Sequence, residues 1–168
     1  MDPAARVIGI GSPHGDDQVG WRVVEDLAAD PAPDVDAVAI GDPVDLLEDL
    51  EGCALLIVMD AYRSGQPPGR VIDLPWPPRG PEGAVGHTTH GSGVASALAL
   101  AEALGRRSPV VALVCVEVES CEPATGLSPA LRRALPEVRC RIMAIIGVGP
   151  GSDVRAVTPR PGSSSKGR

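Results

Sequence analysis

The segment Arg6-Val-Ile-Gly-Ile-Gly11, the loop Ser12-Pro-His-Gly15 and the acidic pair Asp16-Asp17 that follows decide the architecture. The first run is short, β-branched and apolar on both faces, which predicts a buried strand. Behind the acids, Val19, Val23, Val24 and Leu27 recur at helical spacing, so a helix over 19–29 is expected. Acidic residues at its start suit the helix dipole. Pro31-Ala-Pro33 ends it, because proline cannot continue the hydrogen-bond ladder. A buried strand feeding a helix is the opening unit of an α/β fold.

The same alternation continues outward. Val35–Ile40 reads as a second strand and Val44–Leu50 as a short helix with Pro43 at its start. Ala54–Met59 reads as a third, wholly apolar strand that stops at Asp60. Arg70–Leu74 looks like a more exposed strand. Pro75–Gly86 holds four prolines and three glycines and predicts an irregular loop. His87-Thr-Thr-His90-Gly91 leads into a helix over 92–104, rich in Ala and Leu, and Pro109–Val118 is the last central strand. Ser128-Pro129 is a helix start, Ser as N-cap and Pro at the first helical position, and the closing helix is expected to reach Ile146. The reading is a single three-layer α/β domain over 1–150, a mostly parallel twisted sheet with helices on both faces. Residues 151–168, rich in Gly, Ser, Pro and Arg, read as a disordered tail.

Composition excludes several functions. The 168 residues carry a net charge of -7, and without the tail 11 basic residues face 21 acidic ones, a net of -10. Such a surface repels a phosphate backbone. With aromatics at 2% and no Phe, no stacking platform for single-stranded nucleic acid exists. The cysteines at 53, 115, 121 and 140 form no C-x-x-C pair and are expected to be buried thiols in a reducing compartment. No signal peptide or membrane-length apolar run is visible, so a cytoplasmic protein is expected, with a monomer favoured.

The chemistry is expected at the carboxyl ends of the strands, at a topological switch point. In the common strand order 2-1-3-4-5, strands one and three are neighbours, and Asp17 and Asp60 then face each other across the crevice. Two like charges in such a place need a cation or proton between them. If His90 reaches the same crevice, two carboxylates and an imidazole form an oxygen/nitrogen set suited to a divalent transition metal with open positions. Plainer uses exist. Asp16 and Asp17 can serve the helix N-terminus, Asp60 can cap a turn, and a histidine can be structural. Gly9-x-Gly11 invites a dinucleotide-binding reading, but His14 stands at the third glycine position and the acids stand where phosphate would approach. No G-x-S-x-G is present. Cys121, flanked by Glu119 and Glu122, is a poor nucleophile because negative neighbours disfavour a thiolate.

Several segments together resemble the hydrogenase maturation proteases: Ile8-Gly-Ile-Gly-Ser12, Gly15-Asp-Asp-Gln-Val-Gly20, Leu56-Ile-Val-Met-Asp60-Ala61, Thr89-His90-Gly91, Val118-Glu119-Ser120 and Gly126-Leu-Ser-Pro129. The resemblance spans most of residues 6–146. It implies an endopeptidase of aspartate/histidine type that removes the C-terminal extension of a nickel-iron hydrogenase large-subunit precursor after nickel insertion. By the same resemblance Asp17, Asp60 and His90 contact nickel, which the precursor itself brings as the recognition signal, and no organic cofactor is needed. Asp16 is a supporting residue. Ser12 replaces the usual Asn, and the loop before the acids is one residue shorter and carries His14, an additional candidate ligand. His87 is read as structural or as orienting a ligand. The loop around 75–86 is expected to border the groove for the substrate tail. The chief alternative is a non-catalytic nickel-binding checkpoint protein of the same fold, and the next a nucleotide-binding α/β domain.

Overall fold

The computed structural model describes residues 4–74, 76–77, 88–106, 109–123 and 126–148. The tail 151–168, His87 and almost all of the loop 75–86 lie outside them. In chain order the elements are β1 (Ala5–Ile10), a 3-10 turn (Gly15–Gln18), α1 (Val19–Ala29), β2 (Val35–Ile40), a 3-10 turn (Pro43–Asp45), α2 (Leu46–Asp49), β3 (Leu55–Tyr62), β4 (Val71–Leu74), α3 (Gly91–Ala103), β5 (Val110–Glu117) and α4 (Pro129–Val148). The sheet has five strands in the order β2-β1-β3-β5-β4. β1, β2, β3 and β5 run parallel, and β4 joins the edge antiparallel to β5.

The central strands are apolar throughout because both faces are covered. Val7, Ile57, Met59 and Ala61 pack with Val19, Val23 and Leu27 of α1 and Leu131, Val138 and Ile142 of α4. The alternate residues, Ile8, Ile10, Leu56 and Val58, pack with Leu46 and Leu50 beside α2 and with Val94 and Leu98 of α3. The period of two along each strand thus divides the core into the two outer layers. The single three-layer domain expected from the sequence is the fold observed.

Three details differ from the sequence reading. β4 follows β3 after only a short connection with no helix, so it has no crossover and cannot lie parallel. It takes the far edge of β5, as its more exposed sequence suits, rather than the place beside β3 that the order 2-1-3-4-5 gives a fourth strand, and Arg141 of α4 grips its Asp73 with a forked ion pair (2.7 and 3.0 Å from Nε). β3 does not stop at Asp60. Its ladder with β5 continues through Asp60↔Cys115 and Tyr62↔Glu117. Of the cysteines only Cys115 is buried. Cys53 and Cys121 are half-buried, and Cys140 is exposed, because it falls on the side of α4 opposite Val138, Ile142 and Ile145.

Gly9 belongs not to a nucleotide loop but to a helix–strand contact. A Cβ on Gly9 would lie 2.0 Å from the carbonyl oxygen of Gly20, and one on Gly20 would lie 2.2 Å from that of Ile10. Only paired glycines let α1 lie this close to β1. The Trp21 indole N–H, donating to the Ile40 carbonyl at 2.8 Å, fixes the same helix to the end of β2. Arg139 of α4 closes the other end of α1 by donating to the Asp26 and Asp30 carbonyls (3.0 and 2.9 Å). A Gly9→Ala substitution is expected to cost at least about 1–3 kcal/mol, as overpacking against backbone does, read as a lower urea midpoint at unchanged slope.

Candidate functional site

Asp16, Asp17 and Asp60 are buried side chains on tightly bonded segments. Asp17 lies in the 3-10 turn between β1 and α1, 6% exposed. Gly11 permits that turn to fold back, since a Cβ there would lie 2.4 Å from the Asp17 carbonyl oxygen. Asp16 stands in the first turn, but its hydrogen bond goes elsewhere. Its Oδ1 accepts from the Ser128 amide at 2.6 Å, tying the turn to the residue that caps α4. Ser128 Oγ in turn accepts from Leu131 N at 3.4 Å. His14 is exposed and contributes its backbone carbonyl, which accepts from Asp17 N at 3.1 Å.

Asp60 stands two residues before the end of β3, on the face of the sheet that α3 covers, and is 2% exposed. Its Oδ1 accepts from the Ala61 amide (2.8 Å) and the Thr89 hydroxyl (2.9 Å). Its Oδ2 accepts from the His90 amide (3.3 Å). Thr89 N donates to the Ala61 carbonyl at 3.0 Å, and Thr88 bridges Tyr62. The segment before α3 is therefore laid along the end of β3, and His90 arrives directly over Asp60.

The imidazole lies between the two acids. Its Nδ1 is 3.0 Å from Asp60 Oδ1 and its Nε2 is 3.9 Å from Asp17 Oδ2. With the Nδ1 proton donated to Asp60, the lone pair of the neutral ring is on Nε2 and faces Asp17. The hydrogen bond to Asp60 raises the His90 pKa above its ordinary 6.5, burial opposes this, and the charges of Asp60, Asp17 and Asp42 add to the rise. Asp17 Oδ1 is buried and has no hydrogen-bond partner, an unusual state for a carboxylate oxygen. Among the described residues no three His, Cys, Asp or Glu side chains form a ready-made metal cluster; the Nδ1 of His90 is already engaged by Asp60. A small crevice bordered by Asp60, Thr88, Cys115 and Val94 opens beside the array, with room for about one water molecule. The Cys121 thiol is pushed up to about 11, first by burial and then by the charge of Asp17, so it is protonated at neutral pH. The acids that act on it are Asp17, through its charge and a hydrogen bond, and then Asp16, not the sequence neighbours Glu119 and Glu122.

The hydrogenase maturation protease family model (HycI) matches residues 21–145. The chain belongs to this family. Asp60 and His90 fall inside the matched segment, and Asp17 just before it. Among solved structures, the hydrogenase maturating endopeptidase HybD from E. coli is 26% identical with a TM-score of 0.71, covering 85% of this chain and 91% of that one. A hydrogenase 2 maturation peptidase from a Thaumarchaeota archaeon is 27% identical, with a TM-score of 0.63 over 86% and 98%. A solution structure of an endopeptidase from Escherichia coli is 26% identical, with a TM-score of 0.71 over 92% and 99%. No curated protein sequence matches. Membership of the maturation protease family makes this a peptidase fold in which no described helix is long and apolar enough to cross a membrane.

One buried acid escaped the sequence reading. Glu117, at the end of β5, is 0% exposed. The signal was present, because it is the lone charge in an apolar strand run and shares the parity of Cys115, the partner of Asp60.

Asp60→Asn removes the charge that holds the His90 proton and is expected to lower the imidazole titration midpoint, followed by the C2 proton resonance. The sign for stability follows. In the wild type the raised pKa adds stability in full below about 6.5, and this is lost as pH rises through the folded-state value. In Asp60→Asn that pH dependence flattens.

Proposed function

We propose that this chain is an endopeptidase that removes the C-terminal extension of a nickel-iron hydrogenase large-subunit precursor once nickel is inserted, reading the precursor-borne nickel as its signal. The observation that carries this reading, with the family membership, is the donor array. Asp17 Oδ1 is buried and unpartnered, and His90 Nε2 faces the same carboxylate. An arriving cation satisfies both. Asp60 Oδ2 keeps only the long contact from the His90 amide and is the oxygen left to complete the set, so Asp17, Asp60 and His90 together are assigned to the metal.

In this reading nickel is part of the substrate, and the enzyme need not hold it beforehand. Imidazole nitrogen suits such an ion, and hard carboxylate oxygens hold it less firmly than thiolates would. Asp60 orients the imidazole by taking its Nδ1 proton, as carboxylates do behind ligating histidines. Asp17, next to the imidazole, is also placed to accept a proton from water attacking the peptide carbonyl. The turn that carries it is fixed by Asp16 and Ser128, which keeps that geometry from drifting.

The test is intact-mass analysis of the cognate large-subunit precursor, nickel-loaded and nickel-free, incubated with wild type and with Asp17→Asn. Loss of a C-terminal peptide is expected only from the nickel-loaded precursor and only with wild type, the variant falling by at least about 100-fold. Cleavage of nickel-free precursor overturns the signal role. Cleavage by Asp17→Asn overturns the assignment of that residue. Complex formation without cleavage by wild type favours a checkpoint protein over a protease.

A further inference from the structure

Glu117 is fully buried, yet its carboxylate is spent on a surface loop. Oε1 accepts from three successive backbone amides, Ser64 at 2.7 Å, Gly65 at 2.8 Å and Gln66 at 3.0 Å, and Oε2 accepts from the Ser64 hydroxyl at 2.8 Å. Consecutive amides converging on one oxygen form an anion nest, and here the anion is the protein's own. The loop is exposed, so water alone could satisfy its amides. Burying a carboxylate is costly unless its lone pairs are filled, so this arrangement buys loop geometry. Main-chain bonds hold both ends: Val118 N to the Tyr62 carbonyl, Gly69 N to the Glu117 carbonyl and Glu117 N to the Arg70 carbonyl, each 2.8 Å.

The loop leaves β3 after Tyr62, two residues beyond Asp60, so a rim stands beside the site. It carries Arg63, which is exposed and, like Arg70, Arg106, Arg132 and Arg133, makes no ion pair among the described residues, whereas Arg6, Arg22, Arg139 and Arg141 do. Arg63 follows Tyr62, whose carbonyl takes the Val118 amide at 2.8 Å three residues before Cys121, and the charges of Arg63, Asp17 and Asp16 all bear on that thiol. The crevice with Asp16, Asp17 and Asp60 repels a peptide that carries carboxylates. A fixed cation at its edge reverses that repulsion locally, and a guanidinium fork matches a carboxylate.

We propose that Arg63, held at the rim by the Glu117-locked loop, binds a carboxylate group of the precursor's C-terminal extension and helps select the substrate. Glu117 is the positioning residue. The inference rests on the proposed endopeptidase function and names the group that its substrate presents. The carboxylate belongs either to acidic side chains of the extension or to its terminus.

The test uses the full chain and the nickel-loaded precursor, with binding read by light scattering or anisotropy and cleavage by intact mass. Arg63→Ala is expected to weaken binding and raise KM about tenfold with kcat within about twofold, and Arg63→Glu to weaken it further. Arg63→Lys is expected to restore part of the loss. Glu117→Gln is expected to raise KM similarly while the His90 titration stays at its wild-type midpoint, which a general loss of fold would not allow. Precursors with the acidic side chains of the extension neutralised, or with an amidated C-terminus, identify the source, and weaker binding by either supports the proposal. Arg63→Ala within about twofold of wild type in both binding and KM, or indifference to both precursor changes, overturns it while leaving the protease reading intact. Failure of wild type to bind or cleave overturns the protease reading itself, and this inference with it.

Discussion

The candidate site at the carboxyl ends of β1 and β3 depends on one imidazole held between two carboxylates. Asp17 and Asp60 come from different strand ends, β1 and β3, which the topology makes neighbours. Two buried acids so placed repel each other in a low dielectric. His90 stands between them, bonded to one and facing the other, and the neighbouring contacts serve that placement. Thr89 bonds Asp60 and the β3 backbone, Asp16 bonds the start of α4, and the missing side chain of Gly11 lets the turn close. The array is rigid on the Asp60 side and open on the Asp17 side, and its polarity comes from which ring nitrogen is engaged.

Much of this was legible in the sequence, for physical reasons that can be named. Val7–Ile10 and Leu55–Met59 are apolar on both faces, and only a parallel sheet between helix layers accommodates such strands. Once β1 and β3 are adjacent, the acids at their carboxyl ends are brought together, so the sequence alone pairs Asp17 with Asp60. Other features depend on contacts that no local pattern encodes. The edge position of β4 is settled by the length of its connection and by Arg141. The extension of β3 through Asp60 is settled by its pairing with β5. Asp16 looks like a dipole partner for the nearest helix but serves one more than a hundred residues away. The engagement of Nδ1 rather than Nε2 depends on ring orientation, which spacing cannot supply.

Asp60 and Glu117 make an instructive pair. Both are buried acids near the carboxyl ends of adjacent parallel strands, on the same face of the sheet. Glu117 is saturated by donors from one loop, so its charge is committed to shaping backbone. Asp60 divides its bonds between the chain and an imidazole. Similar strand positions thus yield one anion filled by backbone amides and one bonded to an imidazole, and the difference lies in the local supply of N–H groups.

The indole of Trp21 donates to the Ile40 carbonyl, and its ring lies 3.4 Å from where a Cβ on Gly11 would stand, against the turn that bears Asp17. It is half-buried, in surroundings that change if that turn moves. Indole emission is sensitive to hydrogen bonding and to the polarity of its surroundings, so the protein carries its own optical probe beside Asp17. A shift of the turn therefore has a spectroscopic signature that needs no added label.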